Sequence, residues 1–210
     1  PTDEKTYTEY ISDPFNPVPY TAKFEDSKSF YNEVHLIEDQ RYVSTRPDVL
    51  TFESEALAED VTIAGPIIAN LFVSTTGTDA DFVVKVIDVY PDNGNDPDPN
   101  PAQVEMGGYE RLVRTEIMRG KFRNSYENPE PFEPNIVNEV KINLNDAFHT
   151  FKSGHKIMIQ VSSSYFPFFD VNPNTFCDIY SADKDKFVKA MIKIYHNKDY
   201  ASSISFKVIK

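Results

Sequence analysis

The 210-residue chain has no tryptophan and a single cysteine, Cys177. One cysteine forms no internal disulfide, so the fold does not lean on oxidative stapling, and Cys177 reads as a small apolar filler. Runs of basic residues are missing as well: Lys plus Arg total 21 against 33 Asp plus Glu, a net charge of -12. That balance makes nucleic acid and anionic membrane surfaces poor partners. No apolar run approaches the ~18 residues that cross a bilayer, and no signal-peptide pattern opens the chain. Residue 1 is proline rather than methionine. The start therefore reads as a cut or processed end, any targeting region lies outside these residues, and the compartment is left open.

Motifs for chemistry are missing too. No Gly-x-Ser-x-Gly elbow and no phosphate-cradling glycine loop occurs. His35, His149, His155 and His196 form no His-x-x-x-His pair, and no Cys-x-x-Cys exists, so no metal or cofactor is expected. Ser162, Ser163 and Ser164 have no oriented base beside them in sequence and read as polar side chains on the exposed face of a strand. His155, in phase with Ile157 and Ile159, reads as a satisfied core or edge histidine, and His149 as a capping or exposed residue at a turn. Asp79 and Asp81 stand at the entrance of an apolar strand. There they accept from turn amides or pair with Arg111, Arg114, Arg119 or Arg123. The polar stretch 91–108 reads as an exposed loop; its oxygens are of the type that bind Ca²⁺, but Gly94 comes third and no closing glutamate follows, unlike an EF-hand.

What is present is β pattern. The richest stretch is His149 to Pro173. A turn at Lys152-Ser153-Gly154 launches Ile157, Ile159 and Val161, alternating with Met158, Gln160 and Ser162, which predicts a core strand with one wet or partner-covered face. It runs into Tyr165-Phe166-Pro167-Phe168-Phe169, too bulky and broken to continue, and read as a shaped loop end needing something to pack against. Further strands are expected at 49–53, 61–74, 82–90, 111–123, 136–144, 189–196 and 203–208. Gly65-Pro66 marks a bend or bulge, and 82–90, apolar on both faces, reads as a central strand. Residues 183–187 could start a helical turn. Residues 1–60 show little regular pattern, and the prolines at 14, 17 and 19 favour an extended, wrapping path. About eight antiparallel strands without a long helix predict an all-β, two-sheet jelly-roll sandwich.

A set of motifs then carries a resemblance. Asp13-Pro14 with Pro17-Val18-Pro19, Asp39-Gln40-Arg41, the run Arg46 to Phe52, Thr78-Asp79-Ala80-Asp81-Phe82 through Val89, Met106-Gly107-Gly108-Tyr109, Arg119-Gly120-Lys121-Phe122-Arg123 and the 149–173 stretch occur in order. Together they resemble the C-terminal domain of the X-prolyl dipeptidyl peptidase and CocE/NonD serine hydrolases, with α-amino-acid ester hydrolases and glutaryl acylases most similar. The resemblance implies a galactose-binding-like jelly roll at 48–210, with 1–47 as a wrapping segment of the same domain. It implies a non-catalytic accessory role, with the α/β-hydrolase domain, its cap and its Ser-His-Asp triad absent from this chain. The partners implied are those hydrolase and cap domains of one parent polypeptide, with room for a homo-oligomer. By the same resemblance Phe30 and Tyr31 are candidates for a substrate-pocket wall, with Ser29 standing where a relative has leucine. Tyr165, Phe166, Phe168 and Phe169 are candidates for the face braced against the hydrolase domain. The competing reading is a carbohydrate-binding jelly roll using Tyr165, weakened by the lack of tryptophan.

Overall fold

The structure, a computed structural model, describes residues 6–22 and 33–209. Ten strands are found among them: β1 (Tyr7–Ser12), β2 (Leu50–Glu53), β3 (Val61–Thr75), β4 (Asp81–Val89), β5 (Glu110–Arg119), β6 (Asn138–Phe151), β7 (Lys156–Ser162), β8 (Ala190–Tyr195), β9 (Ser203–Ser205) and β10 (Val208–Ile209). The single α-helix among the described residues, α1 (Arg41–Ser44), is one turn long, and a 3-10 turn forms at Lys184–Lys186. All pairing between strands is antiparallel, in two sheets. The larger runs β1-β8-β3-β10, with β6 and β9 also on β3; the smaller runs β2-β7-β4-β5.

Alternation builds the core between them. Ile67, Ala69, Leu71 and Val73 of β3, Val140, Ile142 and Leu144 of β6, and Ile192 and Ile194 of β8 face Phe82, Val84 and Val86 of β4 and Val161 of β7. Such side chains, removed from water, contribute about 1.5–3 kcal/mol each. The all-β sandwich and the central place of β4 are as the apolar pattern predicts.

Several expectations are corrected. Residues 7–12 are not patternless wrapping chain: β1 pairs along its whole length with β8. The expected strand at 203–208 splits into β9 and β10. The strand at 136–144 continues to Phe151, so His149 lies in β6 rather than at a turn. The reason is a bulge. Register slips between Pro66 and Ile68 of β3, where β6 carries an extra residue opposite and Asn145 takes φ +63. An inserted residue moves the inward set from one parity to the other. Val140, Ile142 and Leu144 point inward before it, Ala147, His149 and Phe151 after it. Gly65, at φ +102, bends the partner strand at the same place.

The inward phase of His149 completes a link between sheets. Asp88, 2% exposed at the end of β4, accepts from or pairs with His149 Nε2 at 2.9 Å and His155 Nδ1 at 2.8 Å. The ring of Tyr90 lies 4.4 Å from that of His155. At the other end of β4 both roles foreseen for the acids are found. Asp79 Oδ1 accepts from the backbone N–H of Ala80 and of Lys121, and Asp81 pairs with Arg119 at 3.2 Å.

Candidate functional site

The outer face of the four-stranded sheet carries Val83, Lys85 and Ile87 of β4 beside Met158, Gln160 and Ser162 of β7. The sequence pattern assigns the β7 half of this face to water or a partner. It is instead covered by the chain itself, and Met158, Gln160 and Ser162 are buried. Three pieces cover it: residues 18–22, residues 35–44 and the loop 163–169.

Backbone bonds lock the first piece to the third. Phe166 N–H donates to the Val18 carbonyl at 2.9 Å, Tyr20 N–H donates to the Phe166 carbonyl at 3.0 Å, and the Val18 N–H donates to Ser164 Oγ at 2.7 Å. Ser163 Oγ bonds Tyr10 OH at 2.8 Å, and Ser162 Oγ donates to the Ser164 carbonyl. The serine triplet is therefore not an exposed polar face. Ser162 and Ser163 are buried, and their hydroxyls hold the loop and β1 in place.

The aromatic loop divides in two. Tyr165, 1% exposed, packs edge-on against Tyr20 and joins Val83 and Ile117 in a small cluster. Phe169 is half-buried under the Arg119 guanidinium, 4.7 Å from its ring. Phe166 and Phe168, in contrast, are 43% and 41% exposed. Beside them, the Phe168 ring meets Tyr20 and His35, and the next residues after His35, Leu36 and Ile37, are exposed. Phe166 and Phe168 on the loop, and Leu36 and Ile37 on the 35–44 segment, are thus large apolar side chains left exposed on the pieces that cover this face. Tyr109 OH donates to the Ile37 carbonyl and Arg41 pairs with Asp39, which fixes the 35–44 segment in place. Of the residues singled out from sequence, Phe166 and Phe168 fit an interface. Tyr165 is interior support, and its burial removes the ring that the sugar-binding reading relied on. Phe30 and Tyr31 lie outside the described residues. Leu36 and Ile37 stand out in the sequence only as apolar residues in a charged stretch, with no period to say which way they face.

Polar groups lie under this cover. Lys85, 2% exposed, donates to Gln40 Oε1 at 2.8 Å, with its Nζ 4.8 Å from the centre of the Tyr165 ring. Burial pulls the ammonium down to about 7, an effect that attraction to Glu38 and Glu110 only partly offsets. Burial likewise pushes the Glu110 carboxyl up to about 7. Asp81 is pushed up to about 6, because loss of water outweighs the Arg119 pairing.

The arrangement supplies no assembled hydrolytic centre among the described residues. His149 and His155 each spend a nitrogen on Asp88, and His196 bonds the Thr6 and Thr8 hydroxyls. An apolar cleft of about 250 Å³ opens between the sheets beside β2, lined by Phe52, Leu71, Ile159, Val161, Ile194 and Ile204, and His196 is at its rim. No group of three or more His, Cys, Asp or Glu side chains that could hold a metal is found among the described residues. No helix of the described residues is long and apolar enough to cross a membrane.

Comparison with known proteins gives this geometry its setting. Residues 6–205 match the family described as the X-Pro dipeptidyl-peptidase C-terminal non-catalytic domain. A cocaine esterase from Rhodococcus sp. (strain MB1 Bresler) is 32% identical over 201 residues, which are 96% of this chain and 32% of that protein. Among solved structures, an aminopeptidase from a marine sediment Thaumarchaeota archaeon superposes with a TM-score of 0.91 at 38% identity, over 100% of this chain and 34% of its own. An α-amino acid ester hydrolase superposes with a TM-score of 0.86 at 39% identity, over 97% of this chain and 32% of its own. The chain spans about a third of the length of each of these relatives. A match that runs through both sheets and the segments covering the outer face leaves one assignment: the chain belongs to the family of X-Pro dipeptidyl-peptidase C-terminal non-catalytic domains.

Proposed function

We propose that this chain is the accessory domain of a larger serine hydrolase acting on amide or ester bonds, and that it docks onto the α/β-hydrolase part through the covered outer face of the small sheet, where Phe166, Phe168, Leu36 and Ile37 are exposed. The observation that carries the reading is one of proportion. Relatives named as an esterase, an aminopeptidase and an ester hydrolase each have a region similar to 96–100% of this chain, and that region is about a third of their own length. A non-catalytic third of a hydrolase acts by contact, and clustered exposed apolar side chains mark contact sites.

In this reading the domain has two duties. The sandwich is a rigid brace, and the segment between Ala22 and Glu33, with Phe30 and Tyr31, contributes to the wall of the substrate cleft. Choice among peptide, ester and acyl substrates belongs to the catalytic part, which supplies the nucleophile, base and oxyanion donors. The test is hydrolysis. The purified chain alone is expected to cleave neither an X-Pro p-nitroanilide nor an α-amino-acid ester, whereas the enzyme carrying it cleaves at least one. In that enzyme Phe166→Asp with Phe168→Asp is expected to lower both melting temperature and activity. Turnover by the chain alone, lost on treatment with a serine-directed inhibitor, would refute the proposal.

A further inference from the structure

Lys85 is not among these exposed side chains yet lies directly beneath the segments that carry them. Its ammonium has three donors, and Gln40 Oε1 takes one. The rings of Tyr165 and Tyr42 stand 4.8 and 5.7 Å from Nζ. Titratable groups face it from each covering element: Glu38 and Tyr42 from the 35–44 segment, Glu110 from β5, Tyr165 from the 163–169 loop, with Tyr20 behind the two tyrosines. Glu110 in turn is faced by Ser44, Asp39, Arg41 and Glu53, and Gln160 Nε2 lies 3.4 Å from its Oε2. Four buried oxygens in this cluster, Glu38 Oε2, Tyr42 OH, Gln160 Oε1 and Tyr165 OH, find no hydrogen-bond partner among the described residues. Charged groups enclosed by a half-satisfied polar network are held at a penalty that opening to water relieves.

The lid over this chamber is short. The 35–44 segment closes it with Gln40, whose N–H donates to the Glu110 carbonyl at 3.0 Å, and with the one-turn helix α1, in which Val43 N–H donates to the Gln40 carbonyl. We propose that the Lys85–Glu110 chamber is a pH-responsive latch for the 35–44 segment, closed most loosely near neutral pH and more tightly on either side. Its bearing on partner docking rests on the reading that Leu36 and Ile37 belong to the docking face.

Proton linkage sets the sign. Closure lowers the proton affinity of Lys85, so loss of its proton favours the closed lid, and this works as pH rises above about 7. Closure raises the proton affinity of Glu110, so gain of a proton favours the closed lid as pH falls below about 7. Around neutrality each group retains part of its charged form, and opening is easiest.

Amide hydrogen exchange by NMR on the 210-residue chain between pH 5 and 9 tests this. After correction for intrinsic rates, protection of the Gln40 and Val43 amides is expected to dip near pH 7 by at least about tenfold relative to pH 5 and pH 9, the change that linkage gives when closure moves a proton affinity by about one pH interval. Val73 in the core of β3 reports global opening and is expected to show no such dip. Lys85→Met is expected to abolish the recovery at alkaline pH, and Glu110→Gln the recovery at acid pH. A flat profile in the wild type, or a dip that survives in either variant, overturns the latch; should Lys85→Met fail to fold, Glu110→Gln alone decides. No hydrolase enters the assay, so its failure leaves the docking reading standing. That reading falls instead if Phe166→Asp with Phe168→Asp is silent in the larger enzyme.

Discussion

Asp88 shows how one side chain carries structure that a motif search reads as chemistry. Its two oxygens serve His149 from the opposite sheet and His155 from the turn before β7. An Asp-His arrangement is therefore present in which, among the described residues, no serine hydroxyl bonds either ring, and its work is to join the two sheets. Asp88→Ala is expected to destabilise the chain by about 2–4 kcal/mol in urea denaturation, since two part-buried hydrogen bonds vanish and each ring loses its carboxylate partner. Tyr180→Phe, an exposed site that loses only a bond to Asp170, is expected to stay within about 0.5 kcal/mol of wild type. Lys85 argues in the other direction. Its folded-state affinity for protons lies near 7 against the usual 10.5, so the penalty for burying the cation is complete below pH 7 and gone above the unfolded value. Lys85→Met is expected to raise stability by on the order of 3 kcal/mol at pH 6, the gain shrinking as pH approaches 10. Denaturation curves at the two pH values check the sign. A loss of stability at pH 6 would show that the Gln40 bond and the ring contacts outweigh desolvation.

Among the elements, β6 holds the clearest lesson. Asn145 takes φ +63 at the bulge, where its N–H donates to Asn143 Oδ1 and its amide to Glu116 Oε2. Asn145→Ala is expected to cost about 1–2 kcal/mol, because alanine keeps the β-carbon that strains the left-handed region but loses the polar side chain that makes asparagine tolerant of it, and with it the bond to Glu116. Asn145→Gly is expected to cost less, having no β-carbon and losing only the side-chain bond. Thermal melts of the two variants give the ordering, and equal losses would assign the bulge to the Glu116 bond instead. The same bulge marks where the sequence pattern stops being legible. Alternation locates β3, β4, β7 and β8 because each keeps one phase through its buried span. In β6 the phase flips at Asn145, so the pattern ends the strand at Leu144 and leaves His149 to a turn. β1 escapes for a different reason: as an edge strand it buries only Tyr10 and Ser12, too few positions to set a period. The candidate site is legible in part. The aromatic loop announces itself by bulk, but which rings turn inward depends on Tyr20 and the 35–44 segment, brought there by tertiary pairing alone. Gln40, 0% exposed at the start of α1, enters the sequence reading only within the Asp39-Gln40-Arg41 motif, with no periodicity to announce its burial.

At the scale of the whole molecule, the sandwich has a self-covered sheet face with exposed apolar side chains on the segments that cover it, in a family of non-catalytic domains. The central claim is that these side chains mark the surface that meets the hydrolase part. The sugar-binding alternative needs an exposed aromatic platform at Tyr165, and that ring is interior. Hydroxyl-radical footprinting, comparing the isolated chain with the larger hydrolase proposed to carry it, addresses the claim most directly. Oxidation of Leu36, Ile37, Phe166 and Phe168 is expected to fall severalfold in the larger enzyme, while Tyr126 and Phe148, exposed elsewhere on the sandwich, keep their rates. Unchanged oxidation of those four residues, or protection centred on Tyr126 and Phe148, would contradict the account and put the docking surface on another face.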